Sequence, residues 1–145
     1  MRLIVTGDRA YSNKRFLRAV LTGLLFSIPE DEEFVLIEGM AKGADEMAGQ
    51  WADENAPRVQ HISFPAKWDK LGPAAGPARN IQMLKEGEPT LVVAFHDDIE
   101  NSKGTKHMVD ISRQTLNLPV YIVSRPPSLN DQRAFFGPNG AKRLL

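Results

Sequence analysis

The chain contains no cysteine among its 145 residues. That excludes disulfides, thiolate metal sites and a cysteine nucleophile, and it suits a reducing compartment. An excess of one charge is also missing, since 18 lysines and arginines balance 18 aspartates and glutamates. Nucleic-acid binders draw much of their affinity from neutralising phosphates, so this balance speaks against a nucleic-acid partner. No apolar run approaches the roughly 20 residues needed to span a bilayer, so no membrane role is expected. Met1 to Gly7 is too short an apolar run for a secretory signal and leads directly into Asp8-Arg9. The expected setting is the cytoplasm. Neither the Walker phosphate loop nor the G-x-G-x-x-G dinucleotide fingerprint occurs. The three histidines, His61, His96 and His107, lack metal-ligand spacing. The acidic loop residues Asp97 and Asp98 beside His96 read as solvated, so no metal and no cofactor is expected.

What the chain does have is an alternation of short apolar runs with amphipathic segments. Leu3-Ile4-Val5, Phe34-Val35-Leu36-Ile37, a weaker run over Val59 to Phe64, Leu91-Val92-Val93-Ala94-Phe95 and Pro119 to Val123 read as five strands. The fourth is continuous and apolar, as a central parallel strand should be. Between them, Phe16, Leu17, Val20, Leu21, Leu24 and Leu25 recur at helical spacing, as do Ala44, Met47, Ala48, Trp51 and Ala52. Two more helices are expected. One is entered at Gly76-Pro77, with Gly76 as its cap, and carries Ile81, Met83 and Leu84. The other carries Met108, Ile111, Thr115 and Leu116. Pro65 to Gly76 reads as a loop. Five strands and four helices in alternation predict a Rossmann-like three-layer α/β domain, a parallel sheet covered on both faces. The domain is expected over residues 1–123, followed by a tail over 124–145 that packs through Phe135 and Phe136 or stays partly disordered.

In open parallel sheets of this kind, ligands bind beyond the carboxyl ends of the strands. Three glycine-bearing segments leave that edge. The first contributes Thr6, Gly7, Asp8 and Arg9; the second, Gly39, Lys42, Gly43 and Asp45; the third, Lys103, Gly104 and Thr105. Glycine admits an anion close to the backbone, and the N–H groups at a helix start supply donors. Arg79 and Asn80 add side-chain donors. A small-molecule ligand of the nucleotide type is therefore expected at these thirteen positions. Asp45 has two readings: an acid favoured by the dipole at a helix start, or a group that bonds a ribose or activates water. Trp68 either packs its loop down or stacks on a base. Replacing Arg79 with alanine or Gly104 with valine is expected to weaken ligand binding without disturbing the fold.

The motifs Val5-Thr6-Gly7-Asp8-Arg9, Gly39 to Asp45 with Ala48 and Trp51, Phe64 to Trp68, Arg79-Asn80 with Met83, and Lys103-Gly104-Thr105 together resemble the YspA/cpYpsA-related branch of the SLOG superfamily. That superfamily includes the Lonely Guy phosphoribohydrolases and the DNA-processing DprA proteins. The resemblance implies a sheet of order 3-2-1-4-5, with the switch point between strands one and four. It also implies a homodimer. Lonely Guy enzymes pair an arginine with a glutamate to cleave an N-glycosidic bond. Arg79 matches the arginine, but Met108 stands at the glutamate position and the double glycine of their phosphate loop is absent. Binding or sensing of a nucleotide-derived ligand is thus the leading expectation. A nucleotide N-glycoside hydrolase using Arg79 and an acid such as Asp45 is the alternative, and single-stranded DNA binding in the DprA manner the second.

Overall fold

A computed structural model describes residues 1–124; the tail over 125–145, with Phe135 and Phe136, lies outside the described residues. Five strands, β1 (Arg2–Gly7), β2 (Phe34–Glu38), β3 (Val59–Ser63), β4 (Leu91–Phe95) and β5 (Val120–Val123), form one sheet of order β3-β2-β1-β4-β5. Every pairing is parallel. The four main helices are α1 (Lys14–Phe26), α2 (Ala44–Glu54), α4 (Ala75–Gly87) and α5 (Gly104–Leu116). This is the Rossmann-like α/β sandwich that the alternation predicts.

The strands are apolar because both of their faces are covered. On one face, Leu3, Val5, Phe34, Leu36, Val93 and Phe95 pack under α1 and α2 against Leu17, Leu21, Ala48 and Trp51. On the other, Ile4, Val35, Ile37 and Val92 meet Met83 and Leu84 of α4 and Met108 of α5. Alternate residues of β1 thus point into different cores, as the period of two requires. Trp51 is fully buried, lies edge-on to Phe34 at 5.8 Å, and its indole N–H donates to Thr22 Oγ1 at 3.0 Å. The helix α1 starts where the Asn13 side chain accepts from the Phe16 N–H at 3.1 Å, an N-cap bond.

The segment expected to be a plain loop differs. It contains a short helix, α3 (Trp68–Leu71), then a 3-10 turn over Gly72–Ala74 that runs into α4. The helix α4 therefore begins at Ala75, with Ala74 at the cap position, and Gly76 is no cap. Gly76 instead lies buried in the first turn, where a Cβ would sit 3.2 Å from Trp68 Cη2. Close packing of α3 onto α4, rather than helix capping, accounts for glycine there. Pro77 does fall in the first turn, where its missing N–H breaks no helical bond.

Candidate functional site

Reversal of strand order between β1 and β4 opens a crevice at the carboxyl edge of the sheet. Two connections diverge there. The β1 loop holds its shape through Asp8. The Asp8 N–H donates to the Phe95 carbonyl at 2.9 Å, its carbonyl accepts from Tyr11 and Ala44, and its side chain accepts from the Ala10 N–H at 2.9 Å. Beyond β4, a 3-10 turn over Ile99–Asn101 leads to the start of α5, where Ser102 Oγ accepts from the Thr105 N–H at 3.2 Å. The first-turn N–H groups of α5 otherwise have no helical partners, and Lys103, Gly104 and Thr105 line the crevice.

The crevice encloses a cavity of about 550 Å³, within the usual range for a small-molecule site. Of the thirteen expected ligand-binding residues, all line it except Gly39, Lys42 and Gly43. These three belong to the loop after β2, whose neighbours are β1 and β3 rather than the switch point. Lys42 borders an adjoining depression of about 390 Å³ with Glu38, His61 and Ser63, which shares Ala41 and Asp45 with the crevice. Gly39 is covered by Arg79, since a Cβ there would fall 2.3 Å from Nη1. Gly43 packs against the backbone of Asp8 and Arg9. Four further polar side chains outside the thirteen also line it, His96, Asn101, Ser102 and His107, together with Trp68, whose stacking reading needs this position. His96 was within reach, because it directly follows β4 at the sheet edge. His107 required knowing that α5 points its first turns at the crevice.

Arg79 and Asn80 are held from several sides. Arg79 Nη1 donates to the Gly39 carbonyl, and its Nε donates to Asn80 Oδ1 at 3.0 Å. That bond orients the Asn80 amide. Its Nδ2 then donates to the Gly104 carbonyl at 3.3 Å and to His107 Nδ1 at 3.1 Å. A continuous relay thus joins the loop after β2, α4 and the start of α5. Burial pulls the Arg79 guanidinium below its ordinary range, against the opposing attraction of Asp45. Replacing Arg79 with alanine would strand a charge-assisted bond and unmoor Asn80. The expectation of an undisturbed fold is revised accordingly. Arg79→Ala should lose roughly 1.5–3 kcal/mol in urea unfolding. A variant as stable as the wild type would show that these bonds contribute nothing net.

Asp45 is buried beneath the same loop, and its Oδ2 accepts from the N–H groups of Gly39 at 3.0 Å and Ala41 at 3.3 Å. Burial, followed by the nearby charge of Glu38, pushes its carboxyl up to about 7, while Arg79 and the two N–H bonds pull the other way. On the outer side of the loop, Glu38 is also buried. It accepts from Ser63 Oγ at 2.7 Å, from the Met40 N–H, and from His61 Nε2 at 2.9 Å. His61 Nδ1 lies 2.8 Å from Asp53 Oδ1. Burial opposes the charge on His61, but the bonds to Asp53 and Glu38 prevail and raise its pKa. Two buried carboxylates therefore hold the loop after β2 from both sides. Met40, at its apex, adopts a positive φ of 57°. Met108, which the resemblance sets at the position of the Lonely Guy glutamate, is fully buried in the core. Among the described residues, no group of three or more His, Asp or Glu side chains is arranged to hold a metal ion. Nor is any helix among them long and apolar enough to cross a membrane.

Fold and site together define a Rossmann-like α/β protein with a donor-lined crevice at its switch point. The chain belongs to the YspA, cpYpsA-related SLOG family, whose profile matches residues 1–71. That span covers β1, α1, β2, α2, β3 and α3. A relative, the Gene 61 protein of Mycobacterium phage D29, is 30% identical over 122 residues, which cover 82% of this chain and 93% of that protein. No solved structure matches the chain. Family membership carries a nucleotide-related, Rossmann-like function at a coarse level.

Proposed function

We propose that the chain binds a nucleotide or nucleotide-derived ligand in the switch-point crevice, with its phosphate toward the start of α5. The observation that carries this reading is the convergence of the Thr6–Arg9 loop and the Lys103–Thr105 helix start on one cavity. Each charge-assisted hydrogen bond to a phosphate contributes roughly 1.5–3 kcal/mol, whereas the helix dipole alone contributes about 0.3–1 kcal/mol. Several converging donors, including Lys103, Arg9 and Ser102, therefore dominate recognition. Asn101 and His107 add polar contacts suited to sugar hydroxyls.

Ligand at a hundred times its dissociation constant stabilises a fold by about 2.7 kcal/mol. A thermal-shift screen with nucleoside monophosphates, cyclic nucleotides, NAD and ADP-ribose would reveal such a ligand; no response to any of them would overturn the reading. Gly104 supplies the control. A Cβ there meets nothing within 4 Å and so projects into open space beside the donors. Gly104→Val is expected to keep stability within about 1 kcal/mol of the wild type while abolishing the ligand-induced shift. A variant that still responds fully would move the phosphate away from α5.

One observation favours a second reading, hydrolysis of an N-glycosidic bond. Asp45 lines the cavity and its carboxyl lies near neutrality, where an acid is most useful for proton transfer to a leaving base. Against it, Asp45 Oδ2 is already engaged by two backbone N–H groups. Chromatography of each ligand after incubation separates the readings, because binding returns the ligand intact and hydrolysis releases a free base.

A further inference from the structure

One lining residue of the crevice is aromatic. Trp68, in the short helix α3, lines the cavity with its side chain 45% exposed. The edge of its indole approaches α4 closely, because Gly76 has no side chain to hold it off. The guanidinium of Arg9, from the β1 loop, lies over the ring 5.4 Å from its centroid. Among the described residues, Arg9 makes no ion pair or side-chain hydrogen bond, and its one aromatic contact is with Trp68. Trp68 thus differs from Trp51, which is fully buried in the core. Here one part of the indole is seated on α4 and the rest is left open to the cavity beneath a cation that is easily displaced. An exposed Arg–indole contact contributes only about as much as a single weak interaction, and a planar heterocycle stacking there replaces it with a larger contact.

We infer that Trp68 is the base platform of the site: the ligand carries an aromatic heterocycle that stacks on this indole, displacing the Arg9 guanidinium, which then pairs with the ligand's phosphate or covers the outer face of the ring. This rests on the nucleotide reading above and narrows it. The site selects nucleotides over bare sugar phosphates, and it does so through a π-surface that tolerates different bases rather than through hydrogen bonds to base edges. The tolerance follows because every base has a stacking face.

The test compares AMP, GMP and ribose 5-phosphate on the full chain, by melting temperature and by tryptophan emission. Trp51 is fully buried, so emission changes on titration report Trp68. AMP and GMP are expected to quench emission and to bind about 5- to 150-fold more tightly than ribose 5-phosphate. Trp68→Leu should bring AMP down to the affinity of ribose 5-phosphate and leave the latter unchanged. Trp68→Phe should lose the quenching but keep most of the AMP affinity. If AMP raises the melting temperature and Trp68→Leu binds it as tightly as the wild type, the base lies elsewhere and the inference fails while the nucleotide reading stands. If neither AMP, GMP nor ribose 5-phosphate has any effect on the wild type, the inference fails, and the nucleotide reading fails with it when cyclic nucleotides, NAD and ADP-ribose are silent too.

Discussion

Gly43→Ala is expected to be among the most damaging single-methyl changes in this protein, lowering stability by roughly 2–6 kcal/mol. Two independent effects combine. Gly43 has φ 75° and ψ −120°, a conformation that residues with a Cβ strongly avoid. Its absent Cβ would also fall 2.3 Å from the Asp8 carbonyl oxygen and 2.6 Å from that of Arg9. Both atoms are backbone, and both lie in the loop that shapes the crevice, so neither side can yield as a flexible side chain would. Total stabilities of about 5–15 kcal/mol leave little margin for such a loss. Urea unfolding provides the measurement. Gly23→Ala is the control, because that glycine lies near the end of α1 with nothing within 4 Å of its would-be Cβ. There the methyl should stabilise by about 0.5–1 kcal/mol. Wild-type stability in Gly43→Ala would mean that the Asp8–Arg9 loop moves freely away from α2.

Asp45→Asn is expected to make the protein more stable than the wild type at pH 8, by roughly 2–4 kcal/mol, and to equal it near pH 4. The sign follows from the direction of the shift. The Asp45 carboxyl is raised from 3.8 to about 7 in the folded chain. A group raised on folding holds its proton more tightly in the native state. Its contribution is complete below the unfolded value and disappears as pH rises through the folded one. The wild type should therefore lose stability across the interval from about pH 4 to 7, and the asparagine variant should not. The amide carbonyl can still accept from Gly39 and Ala41, so the loop keeps its anchor. Unfolding in urea at pH 4, 6 and 8 decides it. A variant weaker than the wild type at pH 8 would show that ionised Asp45, facing Arg79, is a net stabiliser of the loop.

Both predictions concern residues whose type is legible in the sequence and whose task is not. Gly43 and Gly104 each precede or open a helix at the carboxyl edge, and each reads as a place where an anion approaches. The structure separates them: Gly43 is pressed against a neighbouring loop, and Gly104 faces open space. Asp45 reads equally as a helix-start acid or a ligand contact. Only its burial and its two N–H donors from the preceding loop reveal an anchor.

The fold itself was determined by local pattern. Continuous apolar strands require cover on both faces, and helical periodicity in the intervening segments supplies that cover, so a parallel sandwich follows from the chain alone. Order 3-2-1-4-5 came from resemblance, and it placed the switch point at the ends of β1 and β4. Tertiary structure decided what no local pattern encodes: which residues from different connections share one cavity. Trp68 stands 59 positions from Arg9 in the chain and meets it only because α3 folds back over α4. His107 joins the site through Asn80, on another helix. Lys42, within a motif that reads as a ligand loop, borders an adjoining depression with Glu38 and His61, while Ala41 and Asp45 of the same loop reach the crevice. Secondary structure depends on neighbours along the chain, whereas a binding site depends on neighbours in space, and these are set only when the layers pack.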